Sequence, residues 1–68
     1  MVNMKNNKKT IKELRLANFM TQQELADKSG VTRETLNRFE NGAKKPYVRS
    51  IRNMAAVLGV NPGDILIK

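Results

Sequence analysis

An all-α domain of five short helices is the fold this sequence predicts, on three observations. Apolar residues recur at helical spacing between Thr10 and Leu58. Helix-capping residues punctuate that pattern. No stretch alternates apolar with polar residues, as a half-buried strand would. The 68 residues suffice for one domain, close to the lower limit at which a single core holds a fold.

Residues 1–8, "MVNMKNNK", show no periodicity and read as a flexible basic arm, leaving residues 9–68 as the domain. From Thr10 the pattern is helical. Ile11, Leu14 and Ala17 share a face with Leu16 and Phe19 near its edge, and the helix should end around Asn18. "TQQE" then opens a second helix with a capping box, Thr21 at the cap and Glu24 three residues on. This helix buries Leu25 and Ala26 and closes at Gly30, a residue suited to the left-handed position after a helix. Thr32 caps the third helix, which stops at "NG" with Gly42 past its end. "AKKP" is a loop, because Pro46 disfavours helix in the residue before it. The fourth helix runs from about Val48 to Leu58, with Ile51, Met54, Ala55 and Leu58 at i, i+3, i+4, i+7 spacing, and Gly59 ends it. "NPGD" should begin a fifth short helix, with Asn61 as cap, Pro62 at its first position and Asp64 near its positive end.

Composition removes several function classes. There is no cysteine and no histidine, so disulfides, thiolate metal sites and imidazole acid–base chemistry are all closed off. Ser29 and Ser50 are the only serines, and no nucleophile–base constellation can be assembled around them. We therefore expect neither an enzyme nor a bound cofactor or metal. The longest apolar run, Met54 to Leu58, is far too short to span a bilayer. No apolar stretch follows the N-terminal lysines, so no signal peptide is expected. A cytoplasmic protein without membrane contact is the expectation.

The formal net charge is +7, and its distribution is informative. Residues 1–20 carry +4, residues 42–52 carry another +4 (Lys44, Lys45, Arg49 and Arg52), and residues 21–41 between them sum to −1. Basic flanks around a near-neutral segment suit a polyanion gripped from both sides. The near-neutral segment contains "VTRETLNRFENG", residues 31–42. Wound as a helix, it gathers Val31, Thr35, Leu36 and Phe39 on one side and Arg33, Glu34, Asn37, Arg38 and Asn41 on the other.

About three residues around Gly30 connect the second and third helices, which forces a steep crossing of helix-turn-helix type. Counted from Gln22, the fifth position is Ala26, the ninth Gly30 and the fifteenth Leu36. Those places require a small residue at the helix contact, one tolerant of positive φ, and a core aliphatic. On these residues, and on "TQQELADKSGVTRETLNRFENGAKKPYVRSIRNMAAVLGVNPGDIL" more widely, the chain resembles the lambda-repressor-like (Xre-type) helix-turn-helix proteins over roughly residues 9–66. The resemblance implies a compact five-helix DNA-binding domain whose third helix enters the major groove. It implies a phosphate contact for Gln22 and for Asn41, groove-facing or base-reading positions for Arg33, Glu34, Asn37 and Arg38, and an ion pair between Arg15 and Glu40. Tyr47 departs from the family's pattern, which has a capping Ser, Thr or Asp there.

The chemistry of the residues agrees. Guanidinium groups match guanine O6 and N7, a carboxylate accepts from the cytosine amino group, and a carboxamide can pair with adenine. A helix carrying all three can tell base pairs apart, whereas a lysine-rich one finds only phosphate. Glu34 and Arg38, four apart, could alternatively form a surface ion pair. Thr32, Thr35, Lys44 and Lys45 complete the expected phosphate-contacting set. The expected function is a sequence-specific double-stranded DNA-binding transcriptional regulator, a repressor, reading the groove with about residues 33–41. It should act as a homodimer on a palindromic operator, joined through Val57, Val60, Ile65 and Ile67. No small-molecule ligand is expected, since the 68 residues leave no room for a separate inducer domain. The alternative is an antitoxin-type protein-interaction module that autoregulates by binding DNA, although no toxin-binding tail is expected, with only two residues after Leu66.

Overall fold

The computed structural model describes residues 8–67. In chain order these form a strand β1 (Lys9–Thr10), helices α1 (Ile11–Ala17), α2 (Gln22–Ser29), α3 (Arg33–Glu40) and α4 (Val48–Leu58), a 3₁₀ turn (Pro62–Asp64) and a strand β2 (Ile65–Leu66). The domain is mostly helical, with four α-helices among the described residues rather than five. The expected basic arm falls almost wholly on residues 1–7, outside the described part; Lys8 is exposed.

Three threonines start the first three helices in one way. The hydroxyls of Thr10, Thr21 and Thr32 accept from the backbone N–H three residues on, at 3.1, 3.0 and 3.1 Å. Glu13 and Glu24 return the bond to the cap's own N–H, both at 2.8 Å, so two orphan donors are satisfied at each end. Tyr47 stands at the cap of α4 and makes no side-chain bond there.

The helix ends are also alike. Met20, Val31, Ala43 and Val60 each donate their N–H to the carbonyl five residues back, at 2.9 to 3.1 Å. This closure needs a left-handed residue before the donor. Gly30, Gly42 and Gly59 supply it, with φ of 77°, 81° and 76°, but after α1 the residue is Phe19 at φ 57°. A left-handed L-residue costs roughly 1–2 kcal/mol, and Phe19, 95% exposed, recovers little by packing. Phe19→Gly is therefore expected to raise stability by up to about 1 kcal/mol, net of glycine's extra chain entropy. A melting midpoint that falls would show that the Phe19 ring holds the α1–α2 turn.

The fifth helix is replaced by a single turn and a strand. Asn61 and Pro62 open that turn where expected, the Asn61 N–H donating to Asp64 Oδ2 at 3.3 Å. Ile65 then goes extended, at φ −91° and ψ 122°. Its backbone pairs in parallel with the N-terminal segment, Lys9 opposite Ile65 and Thr10 opposite Leu66. The β-branched Ile65 suits an extended backbone, and its side chain seals the core at 5% exposure.

That core joins Ile11 and Leu14 of α1, Leu25 and Ala26 of α2, Leu36 and Phe39 of α3, and Met54, Ala55 and Leu58 of α4. Ile51, Val31, Met20, Val57 and Val60 pack against it half-buried. Ala17, expected on the apolar face of α1, is exposed, and Arg15 is buried instead. Ile65 is likewise corrected, from a subunit contact to a core residue of its own chain. Of the other expected contact residues, Ile67 is the most open, at 37%, with Leu66 beside it at 44%.

Candidate nucleic-acid interface

Helix α3 is held from behind and open in front. Its inner face buries Leu36 completely and Phe39 almost so. Ala26 at full burial, Gly30 at positive φ and Leu36 in the core occupy the three places that the helix-turn-helix spacing required. On the outer face Arg33, Glu34, Asn37 and Arg38 are all exposed. Among the described residues the side chains of Arg33, Glu34 and Arg38 have no ion pair or hydrogen bond. The alternative Glu34–Arg38 surface pair is thus not formed.

Behind this face lies a polar chain that begins in the interior. Arg15 grips Glu40 with two bonds, Nε to Oε2 at 2.7 Å and Nη2 to Oε1 at 3.1 Å, the side chains being 9% and 4% exposed. Arg15 Nη1 also donates to the Met20 carbonyl at 2.9 Å. Planar guanidinium and carboxylate meet here in the bidentate geometry that fixes both. Glu40 Oε1 then accepts from Gln22 Nε2 at 3.1 Å, and the same nitrogen donates to Asn37 Oδ1 at 3.2 Å. A run of hydrogen bonds therefore links α1, α3 and the start of α2, and emerges at the exposed face.

The expected phosphate contacts are placed unequally. Asn41 is exposed and uses Oδ1 to accept from the Ala43 N–H at 2.9 Å, which leaves its amide hydrogens outward. The Thr32 hydroxyl caps α3 and also bonds the Thr35 hydroxyl at 2.9 Å, so much of its capacity is used within the helix end. Lys45 is exposed, whereas Lys44 is half-buried with its ammonium 5.0 Å from the centre of the Tyr47 ring. That cation–π contact holds Lys44 at the start of α4.

Sequence reasoning treated Tyr47 only as a departure from a pattern and did not single out Arg49. With no side-chain cap and no acidic residue in its first turn, α4 presents its leading N–H groups unopposed. Arg49 and Lys45 stand exposed around that end. The basic run over residues 42–52 was the signal that could have located it. Together, the end of α3, the loop and the start of α4 make a positively charged shoulder beside a nearly neutral helix face.

Comparison with known proteins agrees with this geometry. A family model described as helix-turn-helix matches residues 11–65. A protein of Archaeoglobus fulgidus, called an uncharacterized HTH-type transcriptional regulator, is 40% identical over 57 residues, covering 84% of this chain and 81% of that protein. One of Bacillus subtilis, called the uncharacterized HTH-type transcriptional regulator YqaE, is 34% identical over 58 residues, covering 85% of this chain. The chain spans about half the length of that Bacillus relative, 49%. No solved structure matches significantly. With Ala26, Gly30 and Leu36 in the places the motif demands and the match running over nearly the whole folded part, the chain belongs to the helix-turn-helix family.

Proposed function

We propose that this protein is a sequence-specific double-stranded DNA-binding transcriptional regulator, a cytoplasmic repressor, whose α3 lies in the major groove. The observation that carries this is the outer face of α3. Four exposed residues of three hydrogen-bonding chemistries stand on a helix whose inner face is locked into the core. Arg33 and Arg38 suit guanine, Glu34 suits cytosine, and Asn37 adds a carboxamide. Asn41, Lys45, the Lys44–Tyr47 pair and the open start of α4 suit the flanking phosphates. Gln22, Thr32 and Thr35 lie around the ends of α2 and α3, where backbone N–H groups also favour phosphate.

The protein acts as a homodimer on a palindromic operator, with half-sites about one helical turn apart. Exposed Ile67 and Leu66 and half-buried Val57 and Val60 are the apolar groups available for the contact. Repression follows from occupancy: a small domain bound across a promoter excludes other proteins from it. Selection from a random DNA pool tests the whole proposal. A palindrome supports it, and a pool retained without sequence preference defeats it.

Lys44 and Lys45 provide an independent check. Both adjoin the reader helix without belonging to it, so they serve affinity and not sequence choice. Changing both to alanine should weaken binding to selected and scrambled DNA alike, and flatten the salt dependence by roughly one unit of slope per lost contact. An altered base preference with an unchanged slope would move these lysines into the groove.

A further inference from the structure

We infer that Phe19 is a further DNA contact, its ring packing on deoxyribose groups of the backbone just outside each half-site, along the edge of the flanking minor groove. The inference rests on the proposal that α3 occupies the major groove. It adds an apolar contact to an interface otherwise made of charges and hydrogen bonds.

The ring is held out at a cost. Phe19 is the one non-glycine residue with positive φ among the described residues, at 57°, and it is 95% exposed. The turn that carries it is fixed on both sides. Its own N–H donates to the Leu16 carbonyl at 3.0 Å, and the Met20 N–H donates to the Arg15 carbonyl at 3.1 Å. The Met20 carbonyl accepts from Arg15 Nη1 at 2.9 Å, and Arg15 is locked in turn by Glu40. Backbone strain that its surroundings enforce, on a side chain given to the solvent, points to a use outside the fold. Leu16, three residues earlier and 53% exposed, widens the apolar surface.

Place decides what covers the ring. The start of α2 borders the reading face of α3, since Gln22 Nε2 bonds Asn37 Oδ1 at 3.2 Å. In this motif the helix before the reader crosses the sugar–phosphate backbone. Phe19 precedes Gln22 by three residues, which puts its Cα within about 10 Å of that crossing. A strand that walls the major groove on one side walls the minor groove on the other, so a group beyond the crossing meets the minor-groove edge. A phenyl ring gains nothing from phosphate there, but deoxyribose offers it an apolar face, and phenylalanine serves as a wedge in minor grooves. A second copy of the chain fits less well. The first end of α1 carries β1, paired to Leu66 beside Ile67, and Phe19 follows its last end, about 10 Å along the axis. The ring therefore lies away from those two dimer candidates, toward the outside of the operator.

The test uses the selected operator in two lengths, one with several base pairs beyond each half-site and one cut at the half-site ends. The unaltered protein is compared with Phe19→Gly and Phe19→Asn, which suit the left-handed conformation without a ring, and with Phe19→Tyr, which keeps one. Both ringless variants should bind the long duplex about tenfold more weakly per half-site, with unchanged base preference and salt slope. Phe19→Tyr should bind like the unaltered protein. Shortening the duplex should weaken the unaltered protein by a similar factor and leave the ringless variants nearly as they were, a non-additivity that a merely loosened turn does not produce. Full-strength, sequence-selective binding of the long duplex by Phe19→Gly would overturn the inference and leave the groove reading standing. So would equal weakening of every variant on the short duplex. Ringless variants that change oligomeric state without DNA, and lose no affinity to shortening that the unaltered protein keeps, would assign the ring to a second copy instead. Binding by the unaltered protein without any sequence preference defeats the groove reading, and the inference with it.

Discussion

Glu40→Ala is expected to lower the unfolding free energy by about 3 to 5 kcal/mol, because it strands the Arg15 guanidinium in the interior. Arg15 has a side chain 9% exposed, and without Glu40 it retains only the Met20 carbonyl at 2.9 Å. For a domain this small, each kcal/mol moves the melting midpoint by roughly 4–8 °C, so the loss should exceed about 12 °C. Much of it measures the abandoned charge, not the net worth of the pair. A double substitution, Arg15→Met with Glu40→Leu, should therefore recover a large part of the stability. A Glu40→Ala midpoint unchanged within error would place the ion pair on the solvated surface and refute its structural role.

The elements legible in the sequence are those governed by neighbours a few residues away. Thr21 with Glu24, Gly30, Thr32 and Gly42 mark helix ends through bonds that span three to five residues, and each stands where the local pattern places it. The Met54, Ala55 and Leu58 stripe is core for the same reason. Contacts between distant segments left no such trace. Lys9 and Thr10 pair with Ile65 and Leu66 through backbone alone, and two residues are too few for an alternating pattern to appear. Ile65 looked available for a partner because an apolar count cannot distinguish a residue that seals its own core from one that seals another's. Phe19 could not be foreseen in a left-handed conformation, since the closure after α1 uses a residue type that rarely adopts it.

The candidate site divides along the same line. That Arg33, Glu34, Asn37 and Arg38 share a face follows from helical period, and the structure leaves all four exposed. What each offers to a base depends on hydrogen bonds from elsewhere. Gln22 reaches Asn37 across 15 residues of sequence, and only the packing of α2 against α3 brings them together. The sequence could nominate Asn37 as a reader, but not fix the direction in which its carboxamide points.

Arg33 should show the functional face most sharply, because its position opposes its own helix. It is the first residue of α3, where the dipole and the unpaired N–H groups favour an acid. It has no ion pair or side-chain hydrogen bond among the described residues to offset that cost. A chain shaped by stability alone would not place a cation there, whereas a helix that enters a groove with this end leading would. Arg33→Ala should leave the melting midpoint nearly unchanged or slightly raised, within about 0.5 kcal/mol. Against the selected DNA it should cost about 1 to 3 kcal/mol per half-site, with preference relaxed at one base pair and scrambled DNA bound almost as before. Arg38, five residues further along the exposed side of α3, should behave likewise at a different pair; near the end of α3 its charge suits the dipole, so Arg38→Ala should lose a little stability where Arg33→Ala does not. Equal losses on selected and scrambled DNA would reduce both arginines to phosphate clamps. No loss on either would leave this face of α3 to the solvent.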